Sequence, residues 1–225
     1  MLLAIDTATN TPSIALFDER GVLGESTWRT HENHTRSLMP EVTRLIELVG
    51  ANISRIDALG VATGPGSFTG LRIGLSAAKG LAYSLPAALL GVPTLEITAS
   101  AAHEQMLPVC AVMMVGRGRF AAALYQCTKG APLRTSDYVF GAAEGIVEQV
   151  TKFAPARFLA IGEMDASLRV LLHAALHERV VFASDALTVR RAGFLAELAW
   201  RRWRAGERDD LQTLTPYYIP TASLA

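Results

Sequence analysis

Apolar residues in this chain fall into short runs separated by turn residues. Leu2 to Ile5, Ser13 to Phe17 and Val22 to Trp28 read as three strands, with Asn10-Thr11-Pro12 and Asp18-Glu19-Arg20-Gly21 as the turns between them. From about Thr35 to Val49 the spacing becomes helical: Leu38, Val42, Leu45 and Val49 share one stripe, with Met39 and Ile46 beside it. The apolar run Ile56 to Ala62 predicts a buried strand. A glycine-rich elbow follows, and Leu71 to Tyr83 predicts a second helix, rich in small residues, with Leu71, Leu75, Ala78 and Ala82 on one stripe. Gly91-Val92-Pro93 ends a further strand, and Leu95 to Gln105 reads as helix.

The second half repeats this order. Val109 to Val115, Phe120 to Cys127 and Leu133 to Phe140 read as strands, Ala142 to Phe153 as a helix and Arg157 to Ile161 as a strand. The two stretches share a pattern without sharing sequence. They predict two α/β lobes of similar topology, with mixed sheets flanked by helices and a cleft between them. The expected lobes are residues 1–104 and 105–225. A long final helix, Gly193 to Ala205, is free to pack back on the first lobe, and a polar tail closes the chain.

Half of the 225 residues are hydrophobic, enough for a sizeable core. Lys and Arg balance Asp and Glu at 21 each, 7 against 9 before Ala101 and 14 against 12 after it, so neither half is a basic nucleic-acid-binding domain. Cys110 and Cys127 lie in apolar runs and read as buried thiols; no Cys/His cluster suggests zinc. No basic region precedes an apolar run at the N-terminus, and no run reaches the ~18 residues of a membrane helix. The expectation is a cytoplasmic protein.

Candidate chemistry is concentrated in residues 64–74, Gly-Pro-Gly-Ser-Phe-Thr-Gly-Leu-Arg-Ile-Gly. An elbow of this kind has two physical uses. Its amides can face an anion, or the small residues of the helix it opens can let another helix come close. It is not a Walker A loop, because Leu71 and Arg72 stand where Lys and Ser or Thr would follow the last glycine. Ser67 and Thr69 are N-cap residues, and Gly70, Gly74, Ala77, Ala78 and Gly80 favour close packing, either within the chain or against another. Asp6-Thr7-Ala8-Thr9, directly after the first strand, offers a carboxylate and two hydroxyls. They suit a phosphate or a magnesium-bound water, or else the amides of their own turn.

Other polar groups carry less. His31 and His34 have no further ligand near them in sequence. His173 and His177 have metal-ligand spacing, but Ala174 stands where a HExxH motif needs Glu. The arginines at 190, 191, 201, 202, 204 and 208 are offset by Glu197, Glu207, Asp209 and Asp210 and read as a solvated face, the alternative being a docking or RNA-facing patch.

Taken together, Asp-Thr-x-Thr after the first strand, His34 before the first helix, the elbow at 64–74, Lys79-Gly80-Leu81-Ala82 and Gly91-Val92-Pro93 closely resemble the TsaB (YeaZ) family. The similarity is dense over residues 2–100 and thin beyond. The resemblance implies the two-lobed fold of actin, sugar kinases and heat-shock ATPases. It also implies an accessory role in placing the threonylcarbamoyl group on the adenosine beside the anticodon of ANN-decoding tRNAs. The partners implied are a homologous catalytic subunit, TsaD, and an ATPase, TsaE, with homodimers formed by the isolated chain and tRNA contacted only indirectly.

Docking in this family uses the first two helices. The interface residues expected here are therefore Leu38, Val42, Leu45, Leu71, Gly74, Leu75 and Ala78. TsaD-like proteins carry a metal on a His-x-x-x-His pair, and the matching positions here are Thr94 and Thr98, poor ligands for a transition metal. No catalytic residue, metal or resident cofactor is expected, apart from weak ATP or ADP with magnesium at a complex interface. Departures from the family pattern are Val115-Gly116-Arg117, where Asp-Ala-Arg is common, and Tyr218-Ile219-Pro220, where many members have Tyr-x-Arg. The rival class is an ATPase or kinase that holds nucleotide phosphates at Asp6, Thr7 and Thr9. A metalloprotease lacks its His/Glu set.

Overall fold

A computed structural model describes residues 1–30, 34–102, 107–116, 118–127 and 130–219. The expectations for His31, Arg117 and Pro220, and for the side chains of His34 and Cys127, lie outside the described residues. The chain divides into two compact units, Met1–Ile97 with Arg191–Tyr217, and Thr98–Arg190 with Tyr218–Ala225. The boundary thus falls at 97/98 rather than at 104/105, and the final helix belongs with the first unit.

In the first unit β1 (Leu2–Asp6), β2 (Ser13–Asp18) and β3 (Gly21–Thr27) form an antiparallel meander. After α1 (His34–Leu48) and a short 3-10 turn, β4 (Ala58–Gly64) pairs parallel to β1. After α2 (Phe68–Ser84), β5 (Ala88–Pro93) pairs parallel to β4, giving the order β3-β2-β1-β4-β5. Every β1 residue is buried because both faces of the sheet are covered. Leu3 and Ile5, with Ile14, Leu16, Leu59 and Val61, meet Leu38, Val42, Leu45, Leu75 and Ala78 from α1 and α2.

The opposite face receives α7 (Ala192–Arg204) so closely that a Cβ on Gly60 would come 2.8 Å from the Ala199 methyl. The start of α7 is fixed by the sheet. Ala192 N donates to Ser13 Oγ at 2.9 Å, and Gly193 N donates to Glu25 Oε1 at 2.7 Å, a carboxylate at the positive end of the helix.

The second unit has the same topology. β6 (Val109–Gly116) and β7 (Arg119–Cys127) are antiparallel, and β10 (Phe158–Gly162) and β11 (Val180–Phe182) add in parallel beside β6. The expected strand over 133–140 is two short ones, β8 (Pro132–Arg134) and β9 (Val139–Ala142), each pairing with β7. Between them Thr135 N donates to Leu124 O, and Ser136 Oγ accepts from Leu124 N, which interrupts the ladder. α3 (Thr94–Ser100) is shorter than expected. α4 (Ala143–Phe153) and α5 (Ala166–Leu176) supply Ile146, Val150, Leu168 and Leu172 to the core of this unit, and α6 (Asp185–Thr188) is a single turn. Among the described residues no helix is long and apolar enough to cross a membrane.

Candidate functional site

The elbow between β4 and α2 closes on the turn after β1. Ser67 caps α2 by accepting from Gly70 N at 3.2 Å, and its own N–H donates to Ala8 O at 2.7 Å. A Cβ on Gly66 would lie 2.7 Å from Ala8 O, one on Gly70 2.1 Å from Thr7 O, and one on Gly74 2.3 Å from Thr7 Oγ1. Thr7 Oγ1 donates to Gly70 O at 2.7 Å. Gly66 and Gly70 are therefore spent on backbone contact and Gly74 on the Thr7 hydroxyl, all inside the first unit, whereas Gly80 meets nothing within 4 Å and Ala77 lines an open groove. Close approach is observed, but to the turn after β1 rather than to another helix.

The elbow occupies Thr7, and local turn contacts engage the other candidate nucleotide groups. Asp6, Thr7 and Thr9 are buried. Asp6 Oδ1 accepts from Ala8 N at 2.9 Å, and Thr9 Oγ1 accepts weakly from Thr11 N at 3.4 Å. Thr94 is also buried, its Oγ1 accepting from Gly64 N at 3.0 Å, and Thr98 is buried one helical turn further on. Among the described residues no group of three or more His, Cys, Asp or Glu side chains converges. Burial alone pushes the Cys110 thiol up to about 12, which makes it inert.

The expected interface residues require a correction. Leu38, Val42, Leu45, Leu71, Gly74, Leu75 and Ala78 are all buried within the first unit. They face the sheet because a helical apolar stripe is drawn to the largest apolar surface available, and β1, β2 and β4 provide it. The other side of these helices is the one left open. There Met39, Phe68, Thr69, Arg72, Ile73, Ser76 and Ala77 line a groove of about 540 Å³, with the buried Leu38 at its floor. Phe68 is 54% exposed, with the Arg72 guanidinium carbon 3.8 Å from its ring centroid, a cation–π contact. Met39, Leu48 and Tyr83 add exposed apolar surface on the same two helices. A readable signal for this face was the i, i+4 pair Phe68 and Arg72, since a large aromatic is out of place among the glycines of an elbow built for close packing.

A family model described as TsaD, tRNA N6-adenosine threonylcarbamoyltransferase, matches residues 18–222. The tRNA threonylcarbamoyladenosine biosynthesis protein TsaB of Escherichia coli is 39% identical over 104 residues, which are 46% of this chain and 45% of that protein. The chain belongs to the TsaD family, in its TsaB (YeaZ) group. The Bacillus subtilis TsaB is 36% identical over 130 residues, 57% of this chain and 56% of that protein. The alignments therefore span about half the length of these TsaB relatives.

Over the whole chain the likeness is structural. A Pseudomonas aeruginosa crystal structure, of an uncharacterized protein with similarity to peptidase YEAZ, superposes with a TM-score of 0.81 at 27% identity, over 97% of this chain and 99% of that one. The ROK hexokinase of Thermus thermophilus, at a TM-score of 0.53 and 11% identity over 90% of this chain and 99% of that one, shares the fold alone. The two sheets flanked by helices are thus those of the actin-like ATPases and sugar kinases.

Proposed function

We propose that this TsaB-family chain is an accessory subunit in threonylcarbamoyladenosine biosynthesis, docking on a TsaD-like threonylcarbamoyltransferase through the outer face of α1 and α2. The observation that carries the reading is the open groove centred on Phe68, an apolar surface with no covering element among the described residues of its unit. The names of the TsaB relatives supply the pathway. The engaged hydroxyls of Thr7 and Thr9 and the buried Thr94 and Thr98 favour a binding role over chemistry at those positions. Docking orders the catalytic partner for transfer to tRNA. A TsaE-like ATPase joins the same assembly, any ATP or ADP is held at a complex interface, and the isolated chain pairs with itself by the same face in the cytoplasm.

A stable interface buries about 800 Å² on each partner, with most of the energy in a few central aromatic and arginine residues. Phe68 and Arg72 fit that role. A titration of the purified chain into the TsaD-like protein of the same organism tests it. Phe68→Glu should weaken binding at least about 30-fold, the cost of losing a hot spot of ~2 kcal/mol. Unchanged affinity would remove this face from the interface.

A further inference from the structure

The segment after α7 is a strap rather than a loose polar tail. Gly206, at φ +86°, turns the chain, and Asp209 then runs antiparallel beside Leu89. Asp209 N donates to Leu89 O at 2.8 Å, the Asp209 carboxylate accepts from Gly91 N at 2.7 Å, and Arg202 Nη1 donates to Gly91 O at 2.6 Å. β5 is an edge strand, and an unpaired edge is where another chain would add. Here one backbone group and two side chains stand in for the missing strand.

Arg202 is itself held, its Nε donating to Glu207 Oε2 at 2.8 Å. Partial burial works against its charge, but the hydrogen bonds and negative charges of Glu207 and Asp209 outweigh that and raise its pKa further. Asp210 tightens the next turn by accepting from Gln212 N and Thr213 N.

The strap then reaches the elbow. The Leu214 methyls, with the Thr63 methyl, fill the space beside Gly91, where a Cβ would come 2.9 and 3.2 Å from the first two and 2.6 Å from the last. Tyr217 N donates to Thr63 O at 2.7 Å, and Tyr217 O lies 2.6 Å from where a Cβ on Gly64 would stand. Gly64 adopts φ +113°, open to glycine and strained for other residues. Thr63 and Gly64 are the last residues of β4, and α2 begins four residues later. None of Arg202, Asp209, Leu214 and Tyr217 lines the groove.

We infer that the strap over 206–217 is a positioning device for the docking helix. Arg202 and Asp209 latch it to β5, and Tyr217 pins the elbow from which α2 presents Phe68 and Arg72. Loosening the latch lets the elbow fluctuate and weakens docking from a distance. This rests on the docking reading above, so the experiment keeps the two apart.

Native-state amide exchange on the full chain is compared for the wild type, Arg202→Ala, Asp209→Ala and Tyr217→Pro, the last removing the N–H given to Thr63 O together with the phenol ring, with Tyr217→Ala, which keeps the N–H, as its control. The same proteins are titrated into the TsaD-like partner. Each variant but the control should raise exchange at the Gly64 amide at least about tenfold, with β1 still protected, as expected of a local opening. Partner affinity should fall about three- to tenfold, within the range of mutations that act from outside a binding site. Arg202→Lys, which keeps one donor for Gly91 O, should recover part of both effects.

Wild-type exchange at Gly64 in the latch variants would overturn the inference, and so would faster exchange with unchanged affinity. Should Arg202→Ala raise exchange throughout, β1 included, Tyr217→Pro decides. Unchanged affinity in Phe68→Glu would sink the docking reading alone, and the exchange measurement would still pass or fail the latch without a partner.

Discussion

The helical layers of the two units cover similar sheets and finish their outer faces differently. In the second unit α4 turns Ile146 and Val150 inward, and its outer face carries Glu148 and Lys152, an exposed i, i+4 ion pair at 2.8 Å. α5 buries Leu168, Leu172 and Leu176, and Arg169 on its outer side pairs with Asp185. Val170 is exposed there, as a single apolar residue often is. In the first unit α1 and α2 bury an equivalent stripe and also leave Met39, Leu48, Phe68 and Tyr83 exposed, with a groove between Met39 and Phe68. The same topology thus supports one layer finished for water and one that leaves an apolar groove open.

The sharpest way to probe that contrast is to add a methyl to one glycine in each layer. Gly70→Ala places its Cβ 2.1 Å from Thr7 O, a backbone atom that cannot give way, and should cost about 3 kcal/mol or more in urea unfolding. Gly145→Ala in α4 meets nothing within 4 Å and should stabilise by about 0.5–1 kcal/mol through helix propensity. Similar values for the two would mean that α2 is not pressed onto the Thr7 turn.

The smallest effect lies in the solvated layer. The hydrogen bond and charge of Lys152 hold the Glu148 carboxyl below the ordinary 4.5. A lowered folded-state pKa contributes above the ordinary value and is lost as pH falls through the folded value. In an NMR titration Glu148 should therefore have its midpoint below 4.5, and Lys152→Ala should move it upward. No movement would show that the pair does not form in solution.

Much of the fold was legible because burial imposes a period. The strands at 2–6, 13–18, 21–27 and 109–116 and the helices at 34–48 and 143–153 lie within one or two residues of where the apolar pattern puts them. The strand expected over 133–140 broke because Ser136 and Thr135 bond Leu124 outside a regular ladder, which no alternation records.

The residues expected at an interface are buried instead, for a physical reason. The stripe of Leu38, Val42, Leu71 and Leu75 reports that something covers it, and periodicity cannot say whether that is the chain's own sheet or another protein. The elbow was ambiguous because glycines serve anion binding and close approach equally well; only the position of Thr7 O decides. The strap was read as a polar tail because its attachment depends on Asp209, Arg202 and backbone groups, with Leu211 and Leu214 too sparse to form a pattern.

The central claim is that α1 and α2, rather than α4 and α5, meet the TsaD-like partner. It is tested most directly by photo-crosslinking from one exposed position in each layer, Ser76 in the groove and Thr151 on α4. A crosslinker at 76 should join the chain to the partner, and one at 151 should not. Crosslinks from 151 with none from 76 would contradict docking through the groove.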